Sequence, residues 1–287
     1  MGDYGPAVPP TESSPAGQHS PSPSTSSDIS VLITGFGPFK TNLVNASYLI
    51  ASSLPPSLDF SSGKGDDGST TERRITLNIY HSPIRVAYAT VREMVPRILE
   101  EYAATHHGQR PDLILHIGIA SPRPYYSVES LAHRDDYVIT DVDDQKGYEE
   151  GEKRWRELGL PPILAPGLAT EDDIKGTGRS VSEESEQPSH RVVPYPPDNH
   201  FLHVWKSNAP RFLDLRISRD PGHYLCDFIF YTSLAAAKLQ GADRNVLFLH
   251  VPGGAADHDI ERGRNVALAL IKTMVTCWID DKRKDLA

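Results

Sequence analysis

Three short apolar runs constrain this chain more than anything else in it. They are Val31-Leu32-Ile33, Leu113-Ile114-Leu115-His116-Ile117 and Val246-Leu247-Phe248-Leu249-His250-Val251, and each closes on glycine or proline within a few residues. Runs of this length bounded by turn residues read as buried strands. Helical spacing separates them. Asn45 caps a helix from about Ala46 to Ser53, and Val91, Met94, Val95, Ile98 and Leu99 share one face of a second. Asp220-Pro221-Gly222 reads as a helix start, followed by Leu225, Phe228, Ile229 and Thr232 at apolar spacing. Ile260 to Trp278 forms a final amphipathic helix. Arg74 to Tyr80 alternates as a half-buried strand, and Tyr125 to Leu131 is extended with Glu129 facing away from Val128. Strands alternating with helices predict an α/β sandwich with a mostly parallel sheet and helices on both faces.

Composition bounds the rest. Residues 1–29 are mostly Ser, Pro, Thr, Gly and Ala, too polar to offset ordering entropy, and are expected to form a disordered tail. The remainder, 30–287, is expected to form a single domain, with a loop at 61–70 and a polar, partly disordered insertion at about 138–219. The net charge of −9 with no long basic run argues against a nucleic-acid partner. No apolar run reaches membrane-span length, and no leader pattern precedes the first strand, so neither a membrane partner nor secretion is expected. Asn45-Ala46-Ser47 matches a glycosylation sequon that is idle without secretion. Cys226 and Cys277 are the two cysteines and form no metal or disulfide pattern, which fits a reducing compartment and an expected cytosolic location.

Cys226 stands near the start of its helix, where backbone N–H groups lower a thiol's pKa and favour thiolate. His250 ends a buried strand, the place where α/β active sites gather. A cysteine and a histidine so placed can serve as nucleophile and base, and Glu129 can orient the imidazole. Each has a bland alternative: a packed thiol, a structural histidine, an exposed strand carboxylate. Gly35-Phe36-Gly37-Pro38-Phe39-Lys40 lacks the third glycine of a dinucleotide fingerprint. Asp257-His258-Asp259 reads as a helix-capping loop rather than a metal site.

Read together, the blocks resemble the type I pyroglutamyl peptidase (pyrrolidone-carboxylate peptidase) family in its eukaryotic form. Thr34-Gly35-Phe36-Gly37-Pro38-Phe39 with Asn45-Ala46-Ser47 is similar to its opening signature. Val128-Glu129 resembles its glutamate motif. Gly222-His223-Tyr224-Leu225-Cys226-Asp227-Phe228 and Phe248-Leu249-His250-Val251-Pro252 resemble its cysteine and histidine motifs. Ile119 stands where many bacterial members carry glutamine, and Lys40-Thr41 where many carry Gly-Gly. The resemblance implies a three-layer α/β/α sandwich and a Cys226–His250–Glu129 triad. It implies a pyrrolidone pocket lined by Phe36 and Phe39 with Tyr224 and Leu225 nearby, and neither cofactor nor metal. The implied activity is removal of an N-terminal pyroglutamyl residue from peptides. The alternatives are a non-catalytic peptide-end binder on the same fold, or a related amidase with altered specificity.

Overall fold

A computed structural model describes residues 28–40, 42–64, 70–175 and 190–281. Of the expected tail, 1–27 lie outside the described residues, and the first strand already begins at Ile29. In chain order the strands are β1 (Ile29–Gly35), β2 (Ser57–Lys64), β3 (Thr70–Ile79), β4 (Leu113–Ile119), β5 (Tyr126–Glu129), β6 (Ala132–His133), β7 (Ile163–Leu164), β8 (Leu215–Ser218) and β9 (Val246–Val251). The helices are α1 (Ala46–Ser52), α2 (Tyr88–Thr105), α3 (Lys153–Glu157), α4 (Glu171–Lys175), α5 (Asn199–Asn208), α6 (Leu225–Leu239) and α7 (Asp257–Trp278).

Seven strands form one sheet in the order β2-β3-β1-β4-β9-β5-β8. The pairs β3–β1–β4–β9 and β5–β8 are parallel, whereas β2–β3 and β5–β9 are antiparallel. The three apolar runs are the adjacent strands β1, β4 and β9. They are buried on both faces because α1, α5 and α7 cover one side and α2 and α6 the other. This is the α/β fold with a mostly parallel sheet and flanking helix layers that the alternation implies.

Three local expectations change. Asp257-His258-Asp259, read as a capping loop before a helix from Ile260, is itself the first turn of α7, which Ala256 precedes without a side-chain cap. The loop placed at 61–70 is, in its described part, an extension of the β2–β3 hairpin. The start of α6 lies at Leu225, not at Asp220-Pro221. Asp220 Oδ1 instead accepts the Gly222 N–H at 2.9 Å, and Gly222 (φ 95°) and His223 (φ 44°) both take left-handed backbone that no helix can continue from.

Much of the segment between 138 and 219 packs on the body. Trp155 rests on Phe228 and Tyr231 with ring centroids 4.9 and 4.5 Å away. Phe201 and Trp205 of α5 are fully buried against α7, and β8 closes one edge of the sheet. Residues 176–189 of this segment lie outside the described residues. No helix among the described residues is long and apolar enough to cross a membrane.

Candidate active site

The sheet register brings the candidate residues to one face. Gly118 of β4 pairs with His250 of β9, so the two positions point to the same side, toward α6. Glu129 of β5 pairs with Phe248, two residues before His250 on that face, and therefore reaches the imidazole diagonally. The result is a 2.7 Å hydrogen bond between His250 Nδ1 and Glu129 Oε1, with both side chains almost completely buried. A buried carboxylate at Nδ1 fixes the proton there, leaving Nε2 as the lone-pair nitrogen. Glu129 is therefore an interior carboxylate and not an exposed strand residue.

Cys226 arrives from α6, as the second residue of that helix. Its position over the strand neighbour of His250 follows from Gly118: a Cβ there would lie 2.8 Å from Cys226 Sγ and 2.6 Å from Phe248 Cζ. Only the absence of a side chain at 118 leaves room for the sulfur. Among the described residues the thiol has no hydrogen-bond partner in this conformation. Cysteine–histidine pairs in ligand-free enzymes are commonly loose and tighten on substrate binding.

The electrostatics correct one expectation. Burial pushes the Cys226 thiol well above its ordinary pKa; the Glu129 and Asp227 carboxylates add to the rise and Arg123 opposes it. A helix N-terminus supplies at most about 2 kcal/mol in the other direction. Burial and the two carboxylates act against that and favour the thiol over the thiolate.

Two supporting residues went unnoticed in the sequence. Arg123, in the β4–β5 loop, donates to Glu129 Oε1 at 3.2 Å and to Ser127 Oγ at 3.3 Å, and its other nitrogen donates to the Asp220 carbonyl at 2.9 Å. It thus ties the orienting carboxylate to the turn that precedes α6. Ser127 Oγ also donates to Glu129 Oε1, at 3.2 Å. A lone arginine in a loop gives no pattern that could have marked it.

The four residues expected to line the pocket divide into two pairs. Phe39 and Tyr224 are partly exposed and face each other with ring centroids 6.4 Å apart, and Lys40 Nζ lies 5.1 Å from the centroid of Tyr224. Phe36 and Leu225 are buried in the core beneath them. The Asn45-Ala46-Ser47 block holds this corner in place. Ser47 Oγ accepts the Phe36 N–H at 3.0 Å, and Asn45 Nδ2 donates to the Gly37 carbonyl at 2.8 Å while its Oδ1 caps α1. A Cβ on Gly35 would stand 2.6 Å from Tyr48 Cα, so glycine is what lets β1 and α1 approach this closely.

α6 begins without a side-chain cap, at Tyr224. Its first-turn N–H groups, including that of Cys226, therefore lack the usual intrahelical and capping acceptors. Cys277, by contrast, is buried in α7 on the far face of the sheet.

No family model matches the chain. Among known proteins it is similar to mouse pyroglutamyl-peptidase 1, with 26% identity over 250 residues, covering 85% of this chain and 89% of the mouse protein. The human protein of the same name is 25% identical over the same shares. A pyrrolidone-carboxylate peptidase of Pyrococcus furiosus is 23% identical over 77% of this chain and 80% of its own length. Among solved structures, the pyrrolidone carboxyl peptidase of Thermococcus litoralis superimposes with a TM-score of 0.52 at 18% identity, covering 88% of this chain and 98% of that one. A variant of the Pyrococcus furiosus enzyme gives 0.53 at 20% identity, covering 86% and 98%; these two show the shared fold. Sequence likeness over most of the length, common architecture and the three signature blocks agree: the chain is similar in sequence to the type I pyroglutamyl peptidases (pyrrolidone-carboxylate peptidases) and shares their fold.

Proposed function

We propose that this protein is a cysteine peptidase that hydrolyses the N-terminal pyroglutamyl residue from peptides, with Cys226 as nucleophile, His250 as base and Glu129 as the group that orients the base. The observation that carries the reading is the buried His250–Glu129 hydrogen bond on the sheet face where Gly118 makes room for the Cys226 sulfur. The relatives' names supply the substrate class.

The chemistry follows from the site. The thiol rests protonated, so His250 Nε2 must take its proton as the sulfur attacks the pyroglutamyl carbonyl carbon. Glu129 then faces an imidazolium and stabilises it. The carbonyl oxygen gains negative charge, which uncapped N–H groups at the start of α6 can receive; one such donor is worth about 3–4 kcal/mol in comparable sites. As the tetrahedral adduct collapses, the C–N bond breaks and His250 returns its proton to the leaving amine. Water, deprotonated by the same imidazole, hydrolyses the thioester and frees pyroglutamate. No step calls on a cofactor or metal.

A pyroglutamyl terminus is a flat neutral lactam with no ammonium to grip. Phe39 and Tyr224 offer aromatic faces for it, with Phe36 and Leu225 supporting them from the core. Lactam N–H and C=O groups then discriminate against other residues by leaving site groups unpaired when they are absent. With two unbridged cysteines and a nucleophile that must remain reduced, the cytosol is the proposed location.

The test is turnover of a fluorogenic pyroglutamyl amide beside its alanyl and prolyl analogues, with Cys226→Ala as control. Turnover of the pyroglutamyl compound alone, lost in Cys226→Ala, supports the proposal. Turnover of only the alanyl or prolyl compound, or binding without turnover, overturns it.

A further inference from the structure

Beside the candidate active site, three metal-ligating side chains converge that the peptidase chemistry does not use. His133 comes from β6, His223 from the turn before α6, and Asp227 from the first turn of α6 itself. Their donor atoms all lie within 4.8 Å of one another. His133 Nδ1 is 2.9 Å from Asp227 Oδ2, and His223 Nδ1 is 3.8 Å from the same oxygen. The two imidazoles lie with ring centroids 4.4 Å apart.

We propose that His133, His223 and Asp227 form a binding site for one divalent ion of the zinc class. The donor set, two imidazoles and one carboxylate, suits zinc and its neighbours among the transition metals. Tetrahedral zinc with bonds of about 2.0–2.1 Å separates its ligands by about 3.3 Å, within the spread observed here. The carboxylate is oriented in advance. Its Oδ1 accepts the backbone N–H of His133 at 2.8 Å, leaving Oδ2 turned to both rings. Asp227 is fully buried, His133 is one-fifth exposed, and His223 is 39% exposed, so the last gives an ion a way in and can swing to close the site. His223 Nδ1–H donates to the Asp135 carbonyl at 3.1 Å, a contact that metal ligation would replace. Asp220 and Glu129 add negative field around His133.

In the sequence only His223 and Asp227 share a short spacing, four residues, while His133 stands 94 residues before Asp227, so no metal motif is legible. The site's position has a consequence. The ion would clamp His223 of the left-handed Gly222-His223 turn that leads to Cys226. The site stands independently of the peptidase reading.

The test is zinc binding by calorimetry on the untagged full-length chain carrying Cys226→Ser, which removes the neighbouring thiol as a ligand. The expected result is one zinc per chain, with affinity falling more than about tenfold when His223→Ala or His133→Ala is added. Cobalt loaded in place of zinc should show tetrahedral visible bands with no thiolate charge-transfer band. Zinc should also raise the Tm of the Cys226→Ser chain but not of its His223→Ala derivative. The proposal is overturned if the Cys226→Ser chain binds no stoichiometric zinc. It is equally overturned if His223→Ala leaves the affinity within about threefold of its parent.

Discussion

Gly118→Ala probes the site without altering any reacting group. The added Cβ would stand 2.6 Å from Phe248 Cζ and 2.8 Å from Cys226 Sγ. Comfortable carbon contacts begin near 3.5 Å, so ring and sulfur must each retreat by more than about half an ångström. Phe248 is fully buried between β9 and α6 and has little room to give. Overpacking of this kind costs about 1–3 kcal/mol of stability, which urea unfolding measures. The effect on turnover should be larger. A nucleophile displaced by a fraction of an ångström to one ångström loses on the order of 100-fold in rate. Steady-state kinetics on a pyroglutamyl amide should therefore show kcat/KM down roughly 100-fold in a protein that still unfolds cooperatively. A folded Gly118→Ala protein with kcat/KM within about threefold of the parent would refute the reasoning, since the sulfur above residue 118 could not then be the nucleophile.

Other outcomes follow from the same geometry. Glu129→Gln keeps the shape but presents His250 Nδ1 with an ambiguous amide; kcat should fall by about 10³–10⁴-fold with KM little changed. Cys277→Ala, on the far face of the sheet, should cost stability while leaving kcat intact, whereas Cys226→Ala should abolish turnover. Because burial raises the Cys226 thiol, its alkylation by iodoacetamide in the ligand-free protein should keep accelerating through the alkaline range, with no plateau near neutrality. His116 is held neutral between Thr34 Oγ1 and Ser233 Oγ, each 2.7 Å away, and burial lowers its pKa from 6.5 to about 3. Its folded pKa being depressed, its contribution to stability is full above pH 6.5 and is lost as pH falls toward 3. That loss should reach about 2 kcal/mol by pH 5, and His116→Gln should flatten the slope in urea titrations.

The sheet was legible because its inner strands are continuous apolar runs. Their shortness and the Gly or Pro that closes each favour a strand over a helix for Val31-Leu32-Ile33 and Val246 to Val251. Asn45 as cap, Glu129 on the face opposite Val128 and His250 at a strand end could all be read for similar local reasons. What could not be read depends on partners distant in sequence. The β2 extension rests on pairing with β3, and its Ser- and Gly-rich residues look like a loop on their own. Asp220-Pro221 has the chemistry of a helix start, but the left-handed backbone at Gly222 and His223 postpones α6 to Leu225. The polar middle segment hides Phe201, Trp205 and Trp155 among charges, and only the assembled cores show what these aromatics cover. The same holds for the thiol: helix position alone points to a lowered pKa, while the burial and the Glu129 carboxylate that help reverse it come from the assembled sheet, only Asp227 being its neighbour in sequence.

The central claim is that the Cys226 sulfur carries the acyl group. It is tested most directly by quenching the enzyme in acid during turnover of a pyroglutamyl amide and mapping its peptides by mass spectrometry. The account predicts a pyroglutamyl thioester on the peptide containing Cys226 and none on that containing Cys277. Active turnover with the acyl group on any other residue would contradict it.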